Sequence, residues 1–190
     1  MLNRSERLRI PEKWAPSVYF VFGQIGWFAC VLGAARGVAW VGILVVVVLI
    51  VLHLLRVARP VPEIKLIASV VLIGGAWENT TVALGLLAYP GMPAHGWAPL
   101  WLLALWGLFA AQANTTYQWL KKRLWLAALL GAFAGPVSFH AGAALGAVYF
   151  LKLWPAVAAL TIGWAVLLPL LIVLGSRWDG VRRPDSARSA

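Results

Sequence analysis

Six apolar runs, each close to or above the ~20 residues a helix needs to cross a bilayer, fill this chain almost from end to end. They cover about 16–35, 38–57, 65–89, 97–119, 124–150 and 154–175. A sequence that is 62% hydrophobic and 12% charged, with a mean hydropathy of +0.84, lies outside the soluble globular range and inside the membrane class. The reading is an all-α polytopic membrane protein with six transmembrane helices.

The net charge of +10 raises nucleic acid as a partner until the cations are placed. All sixteen Lys and Arg fall at or beyond span ends. Fourteen lie on one side, in the N-terminal segment, the 56–65 and 121–123 connections and the C-terminal segment. Only Arg36 and Lys152 lie on the other. This is the pattern of the positive-inside rule, which predicts both termini in the cytoplasm. The charge is therefore topological, with anionic lipid headgroups as its partner rather than nucleic acid.

The organisation follows: residues 1–15 as a cytoplasmic interfacial segment, 16–175 as a six-helix transmembrane domain, and 176–190 as a cytoplasmic tail. The stretch at 17–35, after four cations, has the look of a signal peptide but reads as a retained first span. Prolines 60 and 62 are expected to end the second span and prolines 90 and 93 the third. Trp14, Trp40, Trp97, Trp101, Trp119, Trp125, Trp154 and Trp178 fall near span ends, as an aromatic belt requires. Spans three and five exceed bilayer length, so tilt or a break is expected there. In "AGPVSFHAG", Gly135 and Pro136 predict a kink, and Gly131, Gly135, Gly142 and Gly146 have the spacing that lets helices approach closely, which suggests a central place for span five.

A few polar residues interrupt the apolar runs. Glu78 stands within "GGAWENTTVALG", roughly 20 Å from the basic side at ~1.5 Å per residue. His140 enters from the same side and lies roughly 24 Å in; Gln24 and Gln112 lie at about 12 Å and Asn114 at about 9 Å. Gly74, Glu78, Thr81 and Gly85 recur on one helical face, and Asn114 shares a face with Tyr117. An acid at the bilayer centre costs at least ~2.5–3.5 kcal/mol, which makes it a candidate for function by default. With no intramembrane Lys or Arg as counter-ion, Glu78 is expected to be neutral, or paired with His140, water or the Asn and Gln dipoles. A neutral acid in an apolar pocket can donate a proton, and a nearby histidine can relay one. The alternative is that Glu78 hydrogen-bonds a neighbouring helix and only holds the bundle together. His53, one turn from the basic end of span two, reads as facing headgroups. Its depth differs too much from that of His140 for both to ligate one haem. His95, in an outer loop, reads as solvated. Cys30 is alone, and no metal-ligand spacing, phosphate loop or nucleophile motif is present, so no metal or cofactor is expected.

The segments "ALWGLFAAQANTTYQWL" and "GAFAGPVSFHAGAALGAV" resemble an uncharacterised family of small bacterial inner-membrane proteins, domain-of-unknown-function family 2878. The resemblance runs from "QIGWFACVLGAA" at 24–35 to "GAVYF" at 146–150 and is most specific around Asn114 and at 135–147. Relatives are expected to carry an acid followed by a small hydroxyl residue near position 78, where this chain has "ENTT", and an aromatic where it has His140. The resemblance implies a bacterial inner-membrane location. It also implies a gene neighbourhood of lipid-modifying methyltransferases, which points toward membrane lipids.

Together these readings predict a membrane-embedded protein that modifies a lipid or isoprenoid, with Glu78 and His140 as catalytic residues. Gln24, Asn79, Thr81, Gln112, Asn114 and Tyr117 are the predicted substrate contacts. Two other classes are a non-catalytic lipid transporter or binding subunit, and an assembly partner of a lipid-modifying membrane enzyme.

Overall fold

Prolines and glycines set where the helices start and stop. The computed structural model describes residues 13–92 and 96–181. Within them run α1 (Ala15–Ala35), α2 (Ala39–Arg56), α3 (Pro60–Ala83), a two-residue strand β1 (Leu87–Ala88), α4 (Leu100–Gln112), a 3-10 turn (Gln118–Lys122), α5 (Leu124–Ala144), β2 (Tyr149–Phe150) and α6 (Leu153–Arg177). Pro60 opens α3 at its first position, where the missing N–H is harmless and the fixed φ suits a helix. It therefore begins the third helix rather than ending the second, and Glu63 and Lys65 become helical.

α3 and α5 stop by the same device. Gly85 and Gly146 take left-handed conformations (φ 62° and 87°), which a side chain would resist. In each turn two N–H groups fold back onto the last carbonyls: Leu86 N–H to Thr81 O and Gly85 N–H to Val82 O, and likewise Ala147 to Gly142 and Gly146 to Ala143. The freed chain then pairs as β1 with β2, antiparallel, with Leu87 opposite Phe150 and Ala88 opposite Tyr149. The surplus length of runs three and five is thus spent on a turn and a strand. α5 continues through Pro136 as one helix.

Five helices, α1, α2, α3, α5 and α6, are long and apolar enough to cross a membrane. α4 is different. Its 13 residues span about 20 Å, short of a ~30 Å hydrocarbon core. The expected six spans are met by six helices, five of bilayer length. The backbone after Gln112 turns at 113–117 instead of continuing to Trp119. α4 packs against α1, α2 and α3 and buries Trp101, Leu102, Trp106, Leu108, Ala110 and Ala111. It, and not α5, is the central helix; α5 presents Leu129, Phe133 and Val137 outward.

The connections define two ends. At the end carrying most of the cations, the start of α1, the α2–α3 connection, residues 113–123 and residues 178–181 meet: Thr116 Oγ1 donates to Pro16 O (3.2 Å), Arg59 N–H to Gly180 O (2.9 Å), and Lys121 pairs with Asp179 (2.9 Å). The β1–β2 pair lies at the opposite end. Trp14, Trp119 and Trp125 are exposed at the basic end and Trp40, Trp97 and Trp154 at the other, forming two aromatic belts. Trp101 is buried, and Trp178 is half-buried. The proposed interfacial segment at the N-terminus, His95 and the last residues of the tail lie at least in part outside the described residues.

α5 and α6 form the most extensive helix pair, made possible by Gly131 and Gly135. A Cβ on Gly131 would collide with the Trp164 carbonyl and stand 3.1 Å from Leu168 Cβ. Backbone cannot yield as a side-chain tip can. Gly131→Ala is therefore expected to destabilise the protein by about 1–3 kcal/mol, read as a lowered unfolding midpoint in detergent; an unchanged midpoint would mean the two helices are not held at this distance.

Candidate functional site

Glu78 is fully buried on the inner face of α3, together with Glu63, Leu66, Val70, Gly74 and Thr81. Gly74, one turn earlier, has no side chain, so the Trp106 indole of α4 lies directly against its backbone. That approach brings Trp106 Nε1 to Glu78, donating to Oε1 at 3.1 Å. Tyr89, just after β1, donates its hydroxyl to Oε2 at 3.2 Å. Both carboxyl oxygens are therefore occupied. Trp106 is further fixed by stacking on Trp164 of α6, centroids 4.9 Å apart at 14°.

Glu78 and Trp106 stand on the wall of a cavity of about 810 Å³, within the size range of small-molecule sites. α4 forms its floor. α1 supplies Phe20, Gly23, Gln24 and Trp27 on one side; α5 supplies residues from Leu130 to Ala141 on the other. The rim residues Phe20, Phe133 and Val137 are exposed, so the cavity opens sideways through the cleft between α1 and α5, on the apolar flank of the molecule. One hydrogen bond crosses the cleft, from Trp27 Nε1 to Ser138 Oγ at 3.1 Å.

Of the residues predicted from sequence, Gln24, Gln112, Tyr117 and Glu78 line this one cavity. Thr81 does not; its hydroxyl donates to the Glu78 carbonyl at 2.8 Å. Asn79 donates to Gly75 O (2.7 Å) and accepts from Ala98 N–H (2.8 Å), tying the loop before α4 to α3. His140 is exposed and stacks on Phe150 of β2, centroids 4.7 Å apart. It is not brought to Glu78, because Phe139 rather than His140 occupies the cavity-facing position on α5.

Asn114 belongs to a second polar cluster, at the basic end. Glu63 is wholly buried there. Its Oε2 meets His53 Nε2 at 2.9 Å, while Oε1 accepts from Asn114 Nδ2 (2.9 Å) and the Gly180 N–H (2.8 Å). His53 Nδ1 meets the Tyr19 hydroxyl at 3.0 Å. When Nε2 carries the ring proton and donates to Glu63, Nδ1 is left to accept from Tyr19. His53 is 1% exposed, so it does not face headgroups. The network joins α1, α2, α3, the 113–117 turn and the segment after α6. Sequence reasoning passed over Tyr19 and Glu63 altogether. Among the described residues, no group of three or more His, Cys, Asp or Glu is placed to hold a metal ion.

The molecule defined by these features is a multi-pass helical protein of the membrane type, with a laterally open apolar cavity over a buried carboxyl. Residues 16–170 match the family described as "Protein of unknown function (DUF2878)", and the chain belongs to that family. No curated protein and no solved structure matches it.

Proposed function

We propose that this protein binds a membrane lipid in the cavity between α1 and α5, and that Glu78 holds the inner wall of that cavity in shape. The observation that carries this reading is the lateral opening. A cavity lined by Phe, Leu, Trp and Ala whose rim lies on an apolar flank is reached from the hydrocarbon phase rather than from water. The placement of the cations supports a basic end in the cytoplasm and an inner-membrane location.

Glu78 fits a positioning role because both its oxygens are taken by Trp106 and Tyr89. A second reading, acid–base modification of the bound lipid, is favoured by one observation: the Glu78 side chain lies on the cavity wall itself. For proton transfer Trp106 or Tyr89 would have to release the carboxyl.

Glu78→Gln separates the two readings. An amide keeps an acceptor for Trp106 and a donor toward Tyr89, so lipid retention, measured by native mass spectrometry of protein released from its own membranes, is expected to stay within about twofold of wild type, well under one tenfold step in affinity. Comparative lipidomics of a deletion strain complemented with wild type or with Glu78→Gln supplies the chemical readout. Complementation by the glutamine variant supports a binding role. A lipid profile that only the wild type restores would instead establish the acid as a reactant. Absence of any retained lipid in the wild type would remove both readings.

A further inference from the structure

The polar groups of the cavity are not distributed evenly along it. In the half nearer the β1–β2 end Ser138 accepts from Trp27 and Glu78 accepts from Trp106 and Tyr89, while the indole N–H of Trp164, stacked on Trp106, is buried without a partner among the described residues. Toward the basic end Thr116 donates to Pro16 O, but two amides and a phenol are less committed. The Gln24 amide and the Tyr117 hydroxyl have no hydrogen-bond partner among the described residues, and the amide of Gln112 has only a long contact of 3.5 Å to its own helix. Gln112 is the last residue of α4, six residues and about 9 Å beyond Trp106 along the helix. After the 113–117 turn the ring of Tyr117 packs back on Phe109 of α4, centroids 5.1 Å apart. The connection that carries Thr116, Tyr117 and Trp119 into the cavity wall continues directly into Lys122 and Arg123, both exposed.

We infer that the occupant is an anionic bilayer phospholipid of the leaflet on the basic side, with one acyl chain in the cavity and its headgroup at the basic end. This rests on the lipid-binding reading above and adds the class and orientation of the ligand. The chain passes along the floor of α4 to the indole of Trp106 and the ring of Phe139. The glycerol esters, which are pure acceptors, meet the free donors of Gln24, Gln112 and Tyr117. The phosphate lies at the membrane surface, where Lys122 and Arg123 supply positive charge. Lys121 is not counted, since it pairs with Asp179. The sideways opening leaves the second chain in the bilayer, so the cavity need hold only one.

The test uses full-length protein in nanodiscs containing phosphatidylglycerol or phosphatidylcholine, each carrying a photoreactive diazirine near the end of one acyl chain, with crosslinks located by mass spectrometry. Labelling is expected at α4 and α5 residues on the cavity, such as Leu102, Leu105 and Phe139. Phosphatidylglycerol should label several-fold more strongly than phosphatidylcholine at low ionic strength. Neutralising both cations (Lys122→Gln with Arg123→Gln) should erase most of that preference, at roughly fivefold per cation. Ala134→Phe, which fills the cavity from an exposed position on α5, should abolish cavity labelling by either lipid; Val137→Trp repeats this at a second exposed position should the first variant fold poorly.

Equal labelling by the two lipids, unaffected by the charge substitutions, would overturn the headgroup assignment while leaving lipid binding intact. So would strong cavity labelling by a diazirine fatty acid that neither phospholipid matches, which would make the ligand a free single-chain amphiphile. Cavity labelling that survives both filling variants, or labelling confined to the outer belt, would remove the lipid-binding reading with it.

Discussion

Replacing Glu63 with alanine is expected to destabilise the protein by about 3–5 kcal/mol, the usual consequence of removing one member of a buried charged or hydrogen-bonded pair. The size follows from what the carboxyl gathers: the imidazole of His53, the amide of Asn114 and the backbone N–H of Gly180, all in a site with no exposure at Glu63. Truncation leaves His53 Nε2 and the Gly180 N–H without the carboxyl and Asn114 Nδ2 with only its 3.3 Å contact to Trp178 O, and an apolar surrounding offers no water to take the place of the lost acceptor. The C-terminal segment should be affected first, since Gly180 is held by Glu63 and by the backbone of Arg59. Reversible unfolding in bicelles measures the loss, and protease sensitivity near residue 180 reports the release of the segment. Glu63→Gln, which keeps two of the acceptor contacts, should lose less. A change below about 1 kcal/mol for the alanine variant would mean that the cluster is incidental.

Trp106→Ala carries the second large effect, about 3–5 kcal/mol for a buried aromatic. The indole fills the space above Gly74, stacks on Trp164 and donates to Glu78, so three contacts disappear together and the cavity widens toward α3. Part of the loss is coupling to the carboxyl. In a double-mutant cycle with Glu78→Gln, the two substitutions should be non-additive by roughly 0.5–3 kcal/mol, as residues in direct contact are. Additivity would show that the 3.1 Å contact contributes little and that Glu78 is free for another role. Lipid retention should also fall in the Trp106 variant, since the inner wall has lost its largest surface.

Much of this arrangement can be read before any coordinates are seen. Hydropathy and cation placement locate the helices and the basic end because a bilayer leaves a chain few alternatives. Of the face expected from Gly74, Glu78, Thr81 and Gly85, the first three are buried on α3, whereas Gly85 falls in the turn that ends the helix. What escaped was the start of that helix. With Pro60 taken as a stop for α2 rather than the first residue of α3, Glu63 fell in a connection between spans and was passed over. Counted from Pro60, Glu63, Leu66, Val70, Gly74 and Glu78 fall on one stripe, and the second buried acid becomes visible from spacing alone. His53, one turn from its helix end, went the same way, because depth along a helix says nothing about which side a residue faces. The depth match of Glu78 with His140 failed for that reason too: similar height, but His140 stacks outward on Phe150. The partners of Glu78, Trp106 and Tyr89, lie on other elements of the chain, and nothing in the spacing along α3 points to them.

A lipid chain in the cleft between α1 and α5 is what the proposed function requires. The most direct measurement is diffraction from crystals grown in a lipid phase doped with a phospholipid brominated midway along one acyl chain. Anomalous bromine density is expected inside the cleft, over the floor of α4 and beside Trp106 and Phe139, and should disappear in Ala134→Phe. Bromine found only around the outer surface of the helices, with the cleft closed by the side chains of α1 and α5, would contradict it.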